Sequence, residues 1–295
     1  MFYRRKIIMA LLQVFNGELE KIPLQKLLFL FTQRQNTEKV YDFIPYKFGG
    51  FSYSANADMT AMAGKGLLQE TDHTFKKQDS VDYLLQLRDS DRRSLQEIKQ
   101  LYGNMSNNTL IRHTYTNFPY LAINSLMAKN LLSAEALKKV EDARPKSDKT
   151  VLFTIGYEGI SLEEYLNRLI KNDVRILVDV RNNPMSMKYG FNKNQLNRYC
   201  ENLGIKYIHF PEVGIQSEQR QSLQAQTDYD KLFAAYRKDN LTKTQDTQNA
   251  ILELLIQHQR IALTCFEANI CQCHRKHLAE AITKLPGWRF ELKHI

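Results

Sequence analysis

Five apolar, β-prone runs decide the reading of this chain: Val151-Leu-Phe-Thr-Ile-Gly156, Val174-Arg-Ile-Leu-Val-Asp-Val180, Ile205-Lys-Tyr-Ile-His-Phe210, Arg260-Ile-Ala-Leu-Thr-Cys265 and Trp288-Arg-Phe-Glu-Leu-Lys-His-Ile295. Helical patterns separate them. Ser161 is placed to cap a helix whose Leu162, Tyr165, Leu166 and Leu169 form one face. Asn192 starts another through Leu196 and Tyr199, stopped by Gly204. A polar helical region is expected from about Ser217 to His258, and a further helix from His274. Strand and helix alternating in this way predict an α/β, Rossmann-like fold with a mainly parallel sheet. The second run is apolar at almost every position, which fits a strand covered on both faces.

The unusual residues follow these strands. They are Gly156-Tyr-Glu-Gly159, Asp179-Val-Arg-Asn-Asn-Pro184, His209-Phe-Pro-Glu-Val-Gly214 and Cys265-Phe-Glu-Ala-Asn-Ile-Cys-Gln-Cys-His-Arg275. In a parallel sheet all strand ends of one sense lie along one edge, where ligand crevices form. Four polar clusters therefore converge on one rim. Arg181 and Arg275 carry forked, permanently charged guanidinium groups suited to phosphate, and the helix from His274 directs its positive end to the same edge. Tyr157 and Gly156 complete the expected binding set. Glu158, Asp179, Glu212 and Glu267 are the rim carboxylates; Glu267 or Glu158 would serve as general acid or base, Asp179 is a further catalytic candidate, and an Asp179–Arg181 ion pair is the simpler role for that pair. His274 can shuttle a proton or cap its helix. Cys265 reads as a nucleophile or as a small buried residue. Cys265, Cys271, Cys273 and His274 offer metal ligands, but C-x5-C-x-C-H is not a usual zinc spacing, so no metal and no cofactor are expected.

Before residue 150 the texture is mainly helical. Ile7, Ile8, Leu11, Leu12 and Phe15 mark one helix, and Pro23 opens a second through Leu24, Leu27, Leu28 and Phe31. The aromatic stretch from Tyr41 to Ser52 reads as a loop turning at Gly49-Gly50. A third helix then starts at Ser52 or Ser54 and runs through Met59 and Met62 to Gly66. Leu67-Leu68 is expected to pair with Tyr83-Leu-Leu-Gln-Leu87 as a β-ribbon. Three short helices and a ribbon describe a winged helix-turn-helix. The segment Glu141–Thr150, polar and containing Pro145, is the expected join, giving domains 1–142 and 150–295.

Two resemblances follow from these residues. Leu24-Gln-Lys-Leu-Leu28, Phe43-Ile-Pro-Tyr-Lys-Phe-Gly-Gly-Phe-Ser52 and Gly66-Leu-Leu68 look like a winged-helix-like domain of uncharacterised prokaryotic proteins, some relatives of which occur in toxin–antitoxin and phage-defence settings. Thr154–Gly159, Val178–Pro184, Tyr207–Gly214 and Leu263-Thr-Cys-Phe-Glu267 with Cys273-His-Arg-Lys-His-Leu278 resemble the bacterial domain of unknown function 488 family across about residues 150–295. Relatives often read histidine where Tyr157 stands, and Cys271 is an addition to the pattern.

Charge adds a partner class. The chain has 41 basic and 32 acidic residues among 295, a formal net charge of +9. Residues 1–150 hold 22 basic against 16 acidic side chains, so most of the excess lies there. A basic surface favours nucleic acid, with DNA the expected partner and a nucleotide or modified base the expected ligand. Lys47, Lys65, Lys76, Lys77, Arg92 and Arg93 are the expected backbone contacts, although the third helix has only Lys65 to read with, and protein contact is the competing use of this half. The rim then acts on a nucleotide or base, or holds one as a sensor. A rhodanese-like or phosphatase-like cysteine enzyme is the rival reading, since Asp179-Val-Arg and Cys265 both resemble rhodanese elements. No apolar run is long enough to span a membrane, and the start lacks a small-residue cleavage site, so a cytoplasmic protein is expected.

Overall fold

The computed structural model describes residues 1–35, 38–216, 219 and 225–295, and the chain divides into two compact units, Met1–Arg144 and Pro145–Ile295. Ser217, the expected start of the polar helical region, lies outside the described residues.

The first unit is mainly helical. Its elements run α1 (Tyr3–Val14), β1 (Glu18–Glu20), α2 (Lys21–Thr32), β2 (Ile44–Tyr46), β3 (Gly49–Phe51), α3 (Tyr53–Ala63), β4 (Leu68–Glu70), β5 (Thr74–Lys77), α4 (Asp89–Tyr102), α5 (Asn107–Asn117), α6 (Ala128–Leu131) and α7 (Ala134–Asp142). α2 is buried without interruption from Pro23 to Thr32, as an all-round apolar helix must be. Its two polar interior residues, Gln25 and Lys26, therefore need internal partners and find them on the backbone of Ser52 and Gly50.

Two expectations change here, and one open choice is decided. The stretch from Tyr41 to Ser52 holds a hairpin, β2 against β3, which turns at Lys47-Phe48. Gly49 takes φ +83°, and a Cβ there would lie 2.3 Å from the Tyr115 ring. The β-ribbon partner of Leu68 is β5 and not residues 83–87, which contain a 3₁₀ turn, Leu84–Gln86. The four-residue turn at 71–74 closes this ribbon locally, with the Thr71 N–H on the Thr74 carbonyl, and Phe75, completely buried, supplies the apolar anchor that Tyr83–Leu87 was expected to give. β1 pairs with β5 on the other side, giving a three-stranded antiparallel sheet in the order β1-β5-β4. Ser52, and not Ser54, caps α3, accepting from the Ala55 N–H.

The second unit alternates strand and helix: β6 (Val151–Gly156), α8 (Leu162–Lys171), β7 (Ile176–Asp179), α9 (Lys193–Glu201), β8 (Lys206–His209), α10 (Gln226–Ala235), α11 (Leu241–Lys243), α12 (Gln245–His258), β9 (Arg260–Cys265), α13 (His274–Ile282) and β10 (Glu291–His294). The five strands form one sheet in the order β10-β6-β9-β7-β8, and every pair is parallel. β6, β7 and β9 are buried along their whole length, the mark of central strands covered on both faces. Ser161 caps α8 through the Glu164 N–H.

Side-chain alternation sorts the sheet's two faces. Leu152, Ile176, Val178, Ile261, Leu263 and Cys265 share one core with Leu255 of α12 and Leu278 and Ile282 of α13. On the other face Tyr165 of α8 bonds Thr264. Among the described residues no helix is long and apolar enough to cross a membrane.

Candidate functional site

Parallel pairing puts the ends of β6, β7, β8 and β9 on one edge: Gly156 is level with Cys265, and Asp179 is level with both Thr264 and His209. Two polar assemblies occupy it.

The first is built on Asp179, which is completely buried. Arg181, two residues on, folds back and donates from Nε to both carboxylate oxygens at 2.9 and 3.1 Å, and from its own backbone N–H at 3.1 Å. Tyr207 of β8 donates its hydroxyl to Oδ2 at 2.5 Å. The far side of the guanidinium reaches the Tyr157 hydroxyl at 2.7 Å and the Phe191 carbonyl at 2.9 Å. Burial disfavours the Arg181 charge, but the hydrogen bonds and charge of Asp179 outweigh it and hold the cation firmly. Tyr157 lies flat on Phe191, with ring centroids 4.1 Å apart. Burial, only partly offset by Arg181, pushes its hydroxyl up, so it stays protonated.

The second assembly surrounds Cys265. Its Sγ lies 3.1 Å from Glu267 Oε2 and 3.6 Å from His274 Nδ1. The other ring nitrogen, Nε2, sits 2.9 Å from the Val180 carbonyl. A carbonyl only accepts, so Nε2 carries a hydrogen, and in the neutral ring Nδ1 then turns its lone pair to the sulfur. The edge of Tyr236 holds the ring from the side. Cys273, also completely buried, completes the group; burial first, and then Cys265 beside it, push its thiol up. The ligand atoms of Cys265, Cys273 and His274 all lie within 4.8 Å of one another, so these three residues are the set that can hold a metal ion. Adjacent Cys273 and His274 converge because Cys273 is extended (φ −128°, ψ 133°) just where His274 opens α13.

Both assemblies border one cavity of about 280 Å³, lined among others by Tyr157, Arg181, Asn182, Cys265, Phe266 and His274. Phe266 is the exposed aromatic wall, and Met185 and Met187, also exposed, stand on the loop opposite.

The expected rim residues separate accordingly. Tyr157, Arg181, Cys265 and His274 meet at the cavity. Glu267 touches the thiol. Glu158 is exposed and accepts from the Ala268 N–H at 2.9 Å, so it braces the loop after β9. Asp179 is enclosed by its four donors. Arg275 is buried with its guanidinium under the same loop, donating to the Glu267 and Ala268 carbonyls. Arg181 is therefore paired with Asp179, whereas Arg275 gives only its two terminal nitrogens to loop carbonyls and keeps a buried Nε without a hydrogen-bond partner among the described residues. Gly156 is needed where it is, because a Cβ there would lie 2.0 Å from the Glu267 carbonyl oxygen and 3.0 Å from Arg275. Gly156→Ala is expected to push the loop outward and cost about 1–3 kcal/mol, an overpacking penalty readable by urea unfolding; an unchanged midpoint would contradict this packing.

Sequence reasoning missed Phe191 and gave no role to the motif residues Tyr207 and His209. The last holds the Arg181 carbonyl through Nε2 at 2.8 Å while Lys193 donates to its Nδ1 at 3.0 Å. The Tyr207-Ile-His209 run carried the signal: Tyr207 and His209 share one face of the strand whose end lies beside Asp179.

In the first unit Lys47, Lys65, Lys76 and Arg93 are exposed. Lys77 is instead paired with Asp79 at 2.8 Å and Arg92 with Asp89 at 2.7 Å. α3 turns Ala55, Asp58, Met59 and Met62 inward, and Asp58 gathers Arg4, Arg5 and Tyr41.

Comparison with curated proteins finds no match. Residues 161–282, which run from the cap of α8 to the end of α13 and include the Asp179, His209 and Cys265 clusters, match the family described as Domain of unknown function DUF488. The match is narrower than the resemblance drawn from the motifs, leaving Thr154–Gly159 and β10 outside it. The likeness to this family thus covers the second unit from the cap of α8 to the end of α13.

Proposed function

We propose that the second unit is a thiol-dependent enzyme in which Cys265 attacks an uncharged electrophilic carbon on a substrate of nucleotide or base size, and that the basic first unit brings it to nucleic acid in the cytoplasm. The observation that carries the reading is the orientation of His274, whose unprotonated Nδ1 faces Cys265 Sγ beside an open cavity. In the step envisaged, Nδ1 takes the thiol proton, sulfur bonds to the substrate carbon, and the leaving group departs with the proton from His274. Water, deprotonated by the same nitrogen, then cleaves the S–C bond and restores the thiol; the net change is hydrolysis. Glu267 holds the resting S–H. An uncharged centre fits better than a phosphate, because the cation at the cavity, Arg181, is already paired with Asp179, and Arg275 lies outside the cavity lining. The exposed ring of Phe266 and the amides of Asn182 and Asn183 suit a flat, hydrogen-bonding group.

The test is to incubate the protein with plain and modified DNA and with free nucleotides, and to analyse products by mass spectrometry. Product lost in Cys265→Ser supports the thiol. Product that survives Cys265→Ser but is lost in Glu267→Gln would replace it with a carboxylate mechanism, and binding without product with a sensor. Duplex binding should weaken steeply with salt if Lys47, Lys65, Lys76 and Arg93 meet phosphates; a flat response would remove nucleic acid from the proposal.

Cys273 favours a second reading, in which Cys265, Cys273 and His274 would hold a zinc-like ion that could supply Lewis-acid chemistry. Cys273→Ser separates the two: it would abolish a metal-dependent activity and leave a thiol-dependent one.

A further inference from the structure

We infer that the first unit carries a second, independent binding site: a cavity between α2, α3 and the β2–β3 hairpin that takes a small aromatic monoanion, with its acid group on Lys26. The cavity measures about 390 Å³, enough for a bicyclic ring, and its walls include Tyr46, Phe48, Phe51, Phe75 and Met59. Such walls prefer flat apolar groups. Two lysines, Lys21 and Lys26, break the apolar lining. Lys26 is only 2% exposed, and its Nζ donates to the Gly50 carbonyl at 3.0 Å. Among the described residues no carboxylate pairs with it, whereas nearby Lys21 is paired with Glu70. An ammonium has three hydrogens, and a buried ammonium facing only a carbonyl lacks its natural counter-charge. A ligand carboxylate would supply it.

The buried amine has a further consequence. Burial lowers the Lys26 pKa to about 7, so this charge is readily lost as the pH rises above neutrality. An anion favours the protonated form, so binding above pH 7 must draw a proton from solution, and affinity should fall about tenfold per pH unit there. The other ionisable groups at the cavity are Glu20, Lys21, Asp72 and His73; three of them, Glu20, Asp72 and His73, are exposed at its mouth, where water screens them.

The experiment is calorimetric titration of the full chain with 2-naphthoate and with its neutral isostere 2-naphthamide, from pH 6 to 9. Naphthoate should bind at least tenfold more tightly than the amide at pH 6, weaken above pH 7, and take up a proton at pH 8. Lys26→Met should remove the preference and the pH dependence while leaving amide binding intact, and His73→Gln should change neither. Equal binding of acid and amide to the wild type, or no binding of either at millimolar concentration, would overturn the inference without any variant being needed. If Lys26 serves only to tie the hairpin to α2, Lys26→Met lowers the melting temperature and naphthoate does not raise it in the wild type.

Discussion

Replacing Arg181 by methionine is expected to destabilise the second unit by about 3–5 kcal/mol, the range for removing one partner of a buried ion pair. Asp179 would be left completely buried with a negative charge and only the Tyr207 hydroxyl and a backbone N–H to satisfy it. The loss should be visible as a lower urea midpoint and as faster hydrogen exchange along β7 and β8. The double change Asp179→Leu/Arg181→Met removes both charges and should recover much of the stability, because an apolar pair needs no desolvated partner. If the single variant unfolds at the wild-type midpoint, the pair is not the anchor of the rim that its enclosure implies.

The second large effect concerns reactivity and not stability. His274→Ala is expected to slow alkylation of Cys265 by iodoacetamide at least tenfold at pH 7, because the base facing the thiol is gone. Glu267→Gln should act in the opposite sense on this half-reaction. A carboxylate 3.1 Å from the sulfur opposes thiolate formation, and removing its charge eases it. Faster alkylation in Glu267→Gln with slower alkylation in His274→Ala assigns the two neighbours distinct roles. Equal rates in all three proteins would mean that neither residue influences the thiol.

Much of the second unit was legible in the sequence because its strands are central. β6 and β9 read as uninterrupted apolar runs and end on the residues expected, Gly156 and Cys265. The edge was legible for the same reason, since parallel strands carry their polar loops to one side. What escaped were cross-strand partnerships. Nothing local to Arg181 says that Tyr157 and Phe191 will take its far side, or that Arg275 will turn beneath its own loop. Such choices depend on which buried donor meets which acceptor in three dimensions. The first unit was less legible because its strands are only three or four residues long. The pairing of β4 then rests on a tight turn and one anchor, Phe75, and two apolar runs competed for that role. Lys26 was invisible for a simpler reason: a lysine in an apolar helix pattern reads as a surface residue unless the helix is buried all round, as α2 is.

The central claim is that Cys265 is an activated thiol serving a cavity, and the direct measurement is site-resolved labelling of the native protein by iodoacetamide at pH 7, read by peptide mass spectrometry over time. None of the four cysteines is in a disulfide; Cys271 is exposed and Cys200, Cys265 and Cys273 are buried. The proposal predicts that Cys265 labels faster than exposed Cys271, while Cys200 and Cys273 stay unmodified, because burial pushes their thiols up. Labelling confined to Cys271, with Cys265 as inert as Cys200, would contradict it.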